Sequence, residues 1–383
     1  MQTFGQILSL PKYWFMTEKD FIPIKNLDVL QDGTASWRAP SNIALVKYWG
    51  KRPNQIPANP SISFTLDACA TRTAIAYEKL EKPTNSFSFE FFFEGSVKEA
   101  FKPKIETFLK RIEGYLPYLK YYHFKIDSSN SFPHSSGIAS SASGMAALAL
   151  CLLEIEKEAN PKMTTTLFNQ KASFLARLGS GSACRSIKGS LVQWGKTDSI
   201  KESSDLYGIE YPFTVHTSFE NYHDTILLVH KGQKTVSSTV GHGLMKGHPF
   251  AENRFEQAHQ NMKKLQTIFK TGDLEGFISI VESEALTLHS MMMTSHPYFV
   301  LMLPNTLEII NRIWAFRKET KTPICFTLDA GANVHVLYPE SEKEKCIQFI
   351  QDELVAYCEN GHYICDRIGN GAKQISPIVP YQK

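Results

Sequence analysis

The sequence PHSSGIASSASG, residues 133–144, runs directly into the apolar stretch MAALALCLLEIE, and this junction constrains the fold strongly. The apolar stretch is typical of a buried helix, so the small residues lie where that helix begins. The first N–H groups of a helix have no partner inside the helix, and the helix dipole places positive charge there. Small residues let an anion approach those groups closely. The junction therefore suggests a phosphate-binding loop.

Other features of this loop leave a second interpretation open. It lacks the Lys of the G-x-x-x-x-G-K-[ST] phosphate loop, and it lacks the three spaced glycines of the dinucleotide-binding fingerprint. A helix start whose small residues only allow close packing against a neighbouring helix would have a similar sequence. On these residues alone, anion binding and close packing are both possible.

Length, charge and cysteine content exclude several classes of protein. A chain of 383 residues with 43% hydrophobic content is long enough for two domains, and a net charge of +3 gives no support for nucleic-acid binding. The first twenty residues lack a basic region, and the apolar run 145–153 is too short to span a bilayer, so we expect neither a signal peptide nor a membrane anchor. Seven cysteines without a C-x-x-C pair predict reduced thiols in a cytoplasmic protein. A nucleophilic Cys184 is disfavoured because no base lies nearby in the sequence.

The hydrophobic pattern predicts an α+β chain in two lobes. Strands dominate before residue 130 and return at 222–232 and 322–339, the latter around the tight turn DAGAN. We expect residues 1–33 to form an irregular N-terminal extension, residues 34–215 a first domain and residues 216–383 a second. Helices are predicted at 102–114, 139–159, 164–178, 250–269, 274–292, 305–317 and 340–358.

Four separated motifs carry a family resemblance. They are APSNIALVKYWGKR with NPSISFTLD (39–52 and 59–67), FPHSSGIASSASGMAALA (132–149), GSGSACRSIKGS (179–190) and FTLDAGANVHVL (326–337). Through them the chain resembles the mevalonate diphosphate decarboxylase family of the GHMP kinase superfamily. The resemblance implies a two-lobed GHMP kinase fold, with a first lobe like domain 2 of ribosomal protein S5 and a ferredoxin-like second lobe. Ala332 stands where the family usually has Pro, and PHSSG replaces the more usual PTAAG, but neither departure removes a charged group.

The resemblance also implies a reaction: ATP-dependent decarboxylation of mevalonate 5-diphosphate to isopentenyl diphosphate, with release of phosphate and CO2. Hydroxide is a poor leaving group, so the C3 hydroxyl must first be phosphorylated. By resemblance, Asp329 steers the proton of that hydroxyl, Arg185 holds the C1 carboxylate with help from Asn42, and Lys47 neutralises the transferring phosphoryl group or organises Asp329. An aspartate that only satisfies its own turn is the plainer interpretation of DAGAN without the other motifs.

The remaining site residues are also taken from the resemblance. The residues expected to line the substrate are Tyr48, Lys51, Arg72, Ser180, Ser182, Ser238 and Thr239. The residues expected to bind ATP are Ser136, Gly137, Ser140, Ser141 and Ser143. For Lys51 and Arg72, a solvated surface charge is the alternative.

Mg²⁺ is expected to accompany ATP, held largely by phosphates and water rather than by protein ligands. No His/Cys cluster has zinc spacing, and His289 and His296, on either side of three methionines, are expected in packing roles. The family also implies a homodimer. The same chemistry on mevalonate 5-phosphate, a mevalonate 3-kinase that stops before decarboxylation, and a non-catalytic relative are the other functions considered. The joint presence of Lys47, Arg185 and Asp329 argues against the last two.

Overall fold

A computed structural model describes residues 16–23, 31–133, 138–232 and 238–376, without the side chains of Ser238 and Thr239. Within these ranges the chain is α+β with two separate sheets, which confirms the predicted class. The strands are β1 Gly33–Val46, β2 Ser61–Lys79, β3 Ser88–Phe93, β4 Ser96–Val97, β5 Tyr122–Asn130, β6 Leu191–Trp194, β7 Ile209–Glu210, β8 His223–Leu227, β9 Cys325–Thr327, β10 Val334–Tyr338, β11 Tyr363–Arg367 and β12 Lys373–Gln374. The helices are α1 Lys102–Ile112, α2 Ser140–Ala159, α3 Thr165–Gly179, α4 Ser238–Gly243, α5 Ala251–Thr271, α6 Leu274–Met293, α7 Pro304–Thr320 and α8 Lys343–Phe349.

The first sheet has eight strands in the order β12-β1-β2-β5-β3-β4, and β6 and β7 extend it from β2. The long strands β1 and β2 form its centre, and only the β3–β5 pair is parallel. Strand β12, which is the last strand in the described sequence, pairs with β1 at one edge of this sheet.

Helices α2 and α3 cover one face of this sheet. Helix α2 is apolar nearly all round, with Leu150, Leu152 and Leu153 almost inaccessible to solvent. A helix with apolar residues on all faces is stable only where neighbours cover it, and here β1, β2 and α3 do so. Because the middle of α2 is buried, the position of its first turn is fixed. Residues of that turn line the cavity described below.

The second sheet has the order β11-β8-β10-β9 and is antiparallel throughout. Helices α6 and α7 contact β9, and α5 packs on α6. The turn between β9 and β10 presents Asp329 at the end of the sheet nearest the first lobe. The second lobe therefore supplies the acid, and the first supplies the cations that face it.

Two predictions of local structure differ from the structure. The sequence pattern predicts one helix over 340–358, but α8 ends at Phe349 and continues as a π turn over Ile350–Leu354 and a 3-10 turn over Val355–Tyr357. The described part of the extension also has regular structure, a 3-10 turn at Glu18–Phe21. Phe21 lies in the core and stacks on Phe174 with 4.5 Å between ring centroids.

Candidate active site

A cavity of about 500 Å³ lies where the two lobes meet. Its walls come from β1, β2, β3, β5, α1, the first turns of α2 and the loop after α3 in the first lobe, and from α4, α6 and the β9–β10 turn in the second. Large clefts lined by several lobes are the usual place for a ligand site. Ten of the predicted site residues line it: Asn42, Lys47, Tyr48, Lys51, Ser140, Ser141, Ser180, Ser182, Arg185 and Asp329.

Asp329, Lys47 and Arg185 form the charged centre of this cavity. The Lys47 ammonium lies 3.3 Å from Asp329 Oδ1, and its side chain is only 2% exposed. Burial lowers the pKa of Lys47, and the Asp329 carboxylate opposes that shift. Burial also lowers the pKa of Arg185, which interacts electrostatically with both partners. Two buried cations therefore face one carboxylate, whose side chain is 26% exposed to the cavity.

Strand β2 orients the Arg185 guanidinium. Its Nε donates to the Ser63 hydroxyl at 2.5 Å, and one terminal nitrogen donates to the Ser61 hydroxyl at 2.6 Å. The Asn42 amide nitrogen donates to the Ser186 hydroxyl at 2.8 Å and to the Ser182 carbonyl at 3.2 Å. These bonds fix the loop after α3 against β1 and β2. A planar guanidinium held in this way is preorganised for a carboxylate or phosphate.

A buried ion pair from the second lobe fixes the backbone of Lys47. Glu284 on α6 accepts the Lys47 N–H at 2.9 Å, and Arg254 on α5 donates to the Lys47 carbonyl at 3.0 Å. Arg254 and Glu284 are 2.5 Å apart, and Asn261 donates to the same carboxylate. Neither charge is exposed, and both terminal nitrogens of Arg254 and both oxygens of Glu284 are hydrogen-bonded, whereas Arg254 Nε has no partner among the described residues. The sequence analysis did not identify this pair, because its members lie in ordinary amphipathic helices.

Two polar contacts, one from Gly331 within the turn and one from His289 on α6, hold the backbone of the turn that carries Asp329. Gly331 donates its N–H to the Asp329 carbonyl at 2.7 Å, and His289 Nε2 lies 3.1 Å from the same oxygen. The sequence analysis gave His289 a packing role only. Here it is buried on α6 and contacts the backbone of the acid. Met291 and Met292 beside it are buried, as expected for core residues, but Met293 and His296 are exposed, so the packing role predicted for them is wrong.

One end of the cavity is aromatic and apolar. Phe91 and Phe93 on β3 lie against Phe101, with 5.5 Å between the ring centroids in each pair. Lys104 also lines this end. Ser140 and Ser141 lie in the first turn of α2, between the aromatic end and the charged centre. The Ser141 and Ser180 hydroxyls are 3.2 Å apart.

Two predicted residues lie away from the cavity, and four are not fully described. Ser143 is buried and its hydroxyl is 2.6 Å from that of Thr71, so it faces the sheet. Arg72 is exposed in the middle of β2 and is not among the described residues that line the cavity. Ser136 and Gly137 lie outside the described residues, and so do the side chains of Ser238 and Thr239. The roles of these six residues, like those of the ten that line the cavity, stay predictions.

Two further properties limit the chemistry. Burial raises the pKa of the Cys184 thiol to about 12, which makes a thiolate nucleophile unfavourable. Within the described ranges no three His, Cys, Asp or Glu side chains come together as a metal cluster.

Over the same ranges, no helix has both the length and the apolar character needed to cross a membrane.

Family models match both lobes. The diphosphomevalonate decarboxylase-like N-terminal domain matches residues 39–205, and the mevalonate 5-diphosphate decarboxylase C-terminal domain matches residues 225–375. Diphosphomevalonate decarboxylase from Ganoderma lucidum is 30% identical over 82% of this chain and 81% of its own length. The chain belongs to the diphosphomevalonate decarboxylase family. A member from Candida albicans is 27% identical over 83% of this chain and 87% of its own.

Solved structures of diphosphomevalonate decarboxylases have the same fold. The Staphylococcus aureus enzyme is 26% identical, with a TM-score of 0.77 over 90% of this chain and 99% of its own. A structure of MDDEF in complex with MVAPP, AMPPCP and magnesium is 28% identical, with a TM-score of 0.76 over the same shares. The predicted two-lobed GHMP kinase fold, with its S5-like first lobe and ferredoxin-like second lobe, is confirmed.

Proposed function

We propose that this chain catalyses the ATP-dependent decarboxylation of mevalonate 5-diphosphate to isopentenyl diphosphate. The observation that carries the proposal is the convergence of Asp329, Lys47 and Arg185 in one cavity of a chain that belongs to this enzyme family. The relatives named above are diphosphomevalonate decarboxylases, and the MDDEF complex contains MVAPP and an ATP analogue. These findings favour the diphosphate substrate over mevalonate 5-phosphate.

Phosphorylation of the substrate comes first. The C3 oxygen forms a bond to the γ-phosphorus of ATP, the bond from that phosphorus to the β–γ bridging oxygen breaks, and ADP leaves with the electron pair. Asp329 orients the C3 hydroxyl and accepts its proton as the new bond forms. The carboxylate faces a lysine at 3.3 Å, so its contribution is mainly positioning. Lys47 balances the negative charge that develops on the transferring group.

Decarboxylation follows. The C3–O bond breaks and phosphate leaves with the electron pair, so positive charge develops at C3. The electrons of the C1–C2 bond form the C2=C3 double bond, and C1 departs as CO2. Arg185 holds the C1 carboxylate beside this carbon, which a kinase that stopped at the 3-phosphate would not require. Burial of the guanidinium strengthens this interaction, because the surrounding dielectric is low.

The described residues also fit the nucleotide. The aromatic end of the cavity suits a purine base, and Ser140 and Ser141 offer donors to its phosphates. Mg²⁺ neutralises phosphate charge when it is bound with ATP. Asp329 is the only carboxylate among the described residues that line the cavity, so we propose that phosphates and water supply most of the metal ligands.

One assay tests the function. The purified chain is incubated with ATP and Mg²⁺ and either mevalonate 5-diphosphate or mevalonate 5-phosphate, and ADP and CO2 are measured together. We expect equal amounts of ADP and CO2 from the diphosphate and much slower release from the monophosphate. ADP without CO2 would identify a kinase, and faster turnover of the monophosphate would identify the other decarboxylase.

We also propose that the enzyme is a cytoplasmic homodimer. All seven cysteines are free, and six of them are buried, which suits a reducing compartment. Apolar side chains are exposed along 298–314, among them Tyr298 at 75% and Val300 at 62%. A second copy could cover this surface. Light scattering on the purified chain should give twice the mass of one chain, and the mass of a single chain would contradict the homodimer.

A further inference from the structure

His242 on α4 lies in the wall of the cavity but has no part in the reaction described above. Its ring lies between those of Tyr48 and Trp49, with centroids 4.3 Å and 4.6 Å away. The Gly50 N–H donates to His242 Nδ1 at 3.0 Å. Gly50 has a φ of +101°, a conformation that favours glycine, so this N–H is held by a backbone that few other residues would adopt.

The bond from Gly50 fixes the tautomer of His242. A nitrogen that accepts a hydrogen bond cannot carry a proton, so the hydrogen of the neutral ring is on Nε2. Burial lowers the pKa of His242 to about 3, and the positive charges of Lys51 and Arg185 add to this shift. The ring is therefore a neutral hydrogen-bond donor at physiological pH.

The Nε2–H donor has no acceptor in the part of the chain that the structure describes. The ring lines the cavity, and Lys51, whose charge acts on the ring, is also a cavity residue. Together a neutral donor and a cation form a surface for an anion. The centre of the cavity already has Arg185 beside Asp329 for a carboxylate. Ser140 and Ser141, in the first turn of α2, offer donors suited to nucleotide phosphates.

We propose that His242 binds the 5-diphosphate of the substrate, with Nε2–H donating to a phosphate oxygen, and so helps to select a diphosphate headgroup. The inference rests on the proposed function, because that function places a diphosphate in this cavity. Phosphate oxygens could also come from ATP, but His242 contacts the residues that follow β1, three strands away from the aromatic end on β3. A protonated ring would lose its bond to Gly50, so the neutral donor is the form that fits.

Two substitutions of His242 test the roles of the two ring nitrogens one at a time. His242→Asn can still accept the Gly50 N–H but is too short to replace Nε2, whereas His242→Gln can place an amide donor near the Nε2 position. We expect His242→Asn to raise KM for mevalonate 5-diphosphate by ~10–100-fold, the range for a lost hydrogen bond to a charged group. His242→Gln should recover a large part of that loss. KM for ATP and kcat should change by less than about threefold in both variants. The matched control is His259→Asn on the exposed face of α5, which should change none of these values.

Direct binding distinguishes failure of this inference from failure of the proposed function. Calorimetric titration of mevalonate 5-diphosphate without ATP should show the same loss in His242→Asn, whether or not the wild-type chain releases CO2. An unchanged affinity in that variant would overturn the inference while leaving the function intact. A rise in KM for ATP alone would assign the contact to the nucleotide. Equal losses in both variants, accompanied by a lowered Tm, would show that the ring has only a structural role. Absence of CO2 from the wild-type chain would contradict the proposed function instead.

Discussion

The charge state of the Lys47 side chain depends on Asp329, a residue that is far from it in the sequence. An ammonium that is buried alone tends to lose its proton, because a charge is costly away from water. The Asp329 carboxylate opposes this loss, and the Glu284 carboxylate does so to a smaller extent. Lys47 and Asp329 are 282 residues apart in the sequence. A change at either residue should therefore alter the charge and the position of the other.

Asp329→Asn tests this dependence. The amide keeps the size of the side chain but cannot accept the C3 proton, and it removes the charge that stabilises the Lys47 ammonium. We expect kcat to fall at least ~10²-fold, the usual scale for a positioned acid–base group. The affinity for ATP, measured by fluorescent-nucleotide titration, should change little. Near-normal turnover in this variant would remove Asp329 from the mechanism.

At the scale of elements, hydrophobic pattern predicted the helices well and their partners poorly. The pattern placed a helix at 139–159, and α2 begins one residue later, because its apolar body leaves little choice. The same reasoning gave α5 and α6 as amphipathic helices but could not show that Arg254 and Glu284 meet at the backbone of Lys47. Periodicity reports which face of a helix is buried, and not what covers it. Three of the four charged or amide groups predicted for catalysis came from motifs in loops or at strand ends, where local sequence dictates geometry.

The ion pair between α5 and α6 supports a second prediction. Glu284→Gln leaves Arg254 buried without its counter-charge and weakens the acceptor of the Lys47 N–H. Breaking one partner of a buried pair costs about 3–5 kcal/mol. We expect a loss of that order in the free energy of unfolding, measured with urea, and a fall of roughly tenfold in kcat. Glu256→Gln, on the exposed face of α5, is the matched control for the loss of a carboxylate. A stable variant with normal kcat would contradict the positioning role.

The N-terminal turn at Glu18–Phe21 packs on α3 of the first lobe, although no role for it was predicted from the sequence. Phe21 stacks on Phe174 and lies edge-on to Tyr207 at 6.1 Å, and Glu18 reaches to within 3.8 Å of Arg177. Arg177 also donates to the Asn54 carbonyl, near the cavity residue Gln55. The turn therefore supports the segment that carries Lys51 and Gln55, through one buried arginine.

Phe21→Ala should destabilise the first lobe. The substitution leaves a space between two aromatic rings, and removal of a buried Phe costs about 3–5 kcal/mol. We expect the free energy of unfolding in urea to fall by about 3 kcal/mol at the low end of that range. The neighbouring Ile22 is 48% exposed, so Ile22→Ala is a matched control that should cost little. Similar losses in both variants would show that the turn is not anchored by Phe21.

For the whole molecule, contacts between the lobes determine the shape of the cavity. Asp366 on β11 accepts the N–H groups of Asp67, Ala68 and Cys69 at 2.9, 2.7 and 2.7 Å, which joins the second sheet to the end of the motif on β2. The ion pair of α5 and α6 joins it to the end of β1. His242 packs on the same segment of the first lobe through Tyr48, Trp49 and Gly50. Charge changes at this boundary should therefore affect the stability of the fold.

His242 makes that stability depend on pH. Its pKa is about 3 in the folded chain, against an ordinary value near 6.5 in the unfolded chain. As pH falls below 6.5, the unfolded state takes up a proton that the folded state does not bind until about pH 3. The unfolded state is thus favoured increasingly as pH falls through this window. At pH 5 the loss from this one residue is at most about 2 kcal/mol, since each pH unit corresponds to about 1.4 kcal/mol.

Urea unfolding at pH 7.5 and pH 5.0 measures this effect. The wild-type chain loses stability from every group that titrates in this range, so the informative quantity is the difference between proteins. We expect His242→Asn to lose about 2 kcal/mol less than the wild type between the two pH values, because it has no imidazole to protonate. The exposed His259→Asn should follow the wild type. The same loss in all three proteins would mean that the ring is protonated in the fold as readily as in the unfolded chain, which would also remove the neutral Nε2–H donor on which the headgroup contact depends.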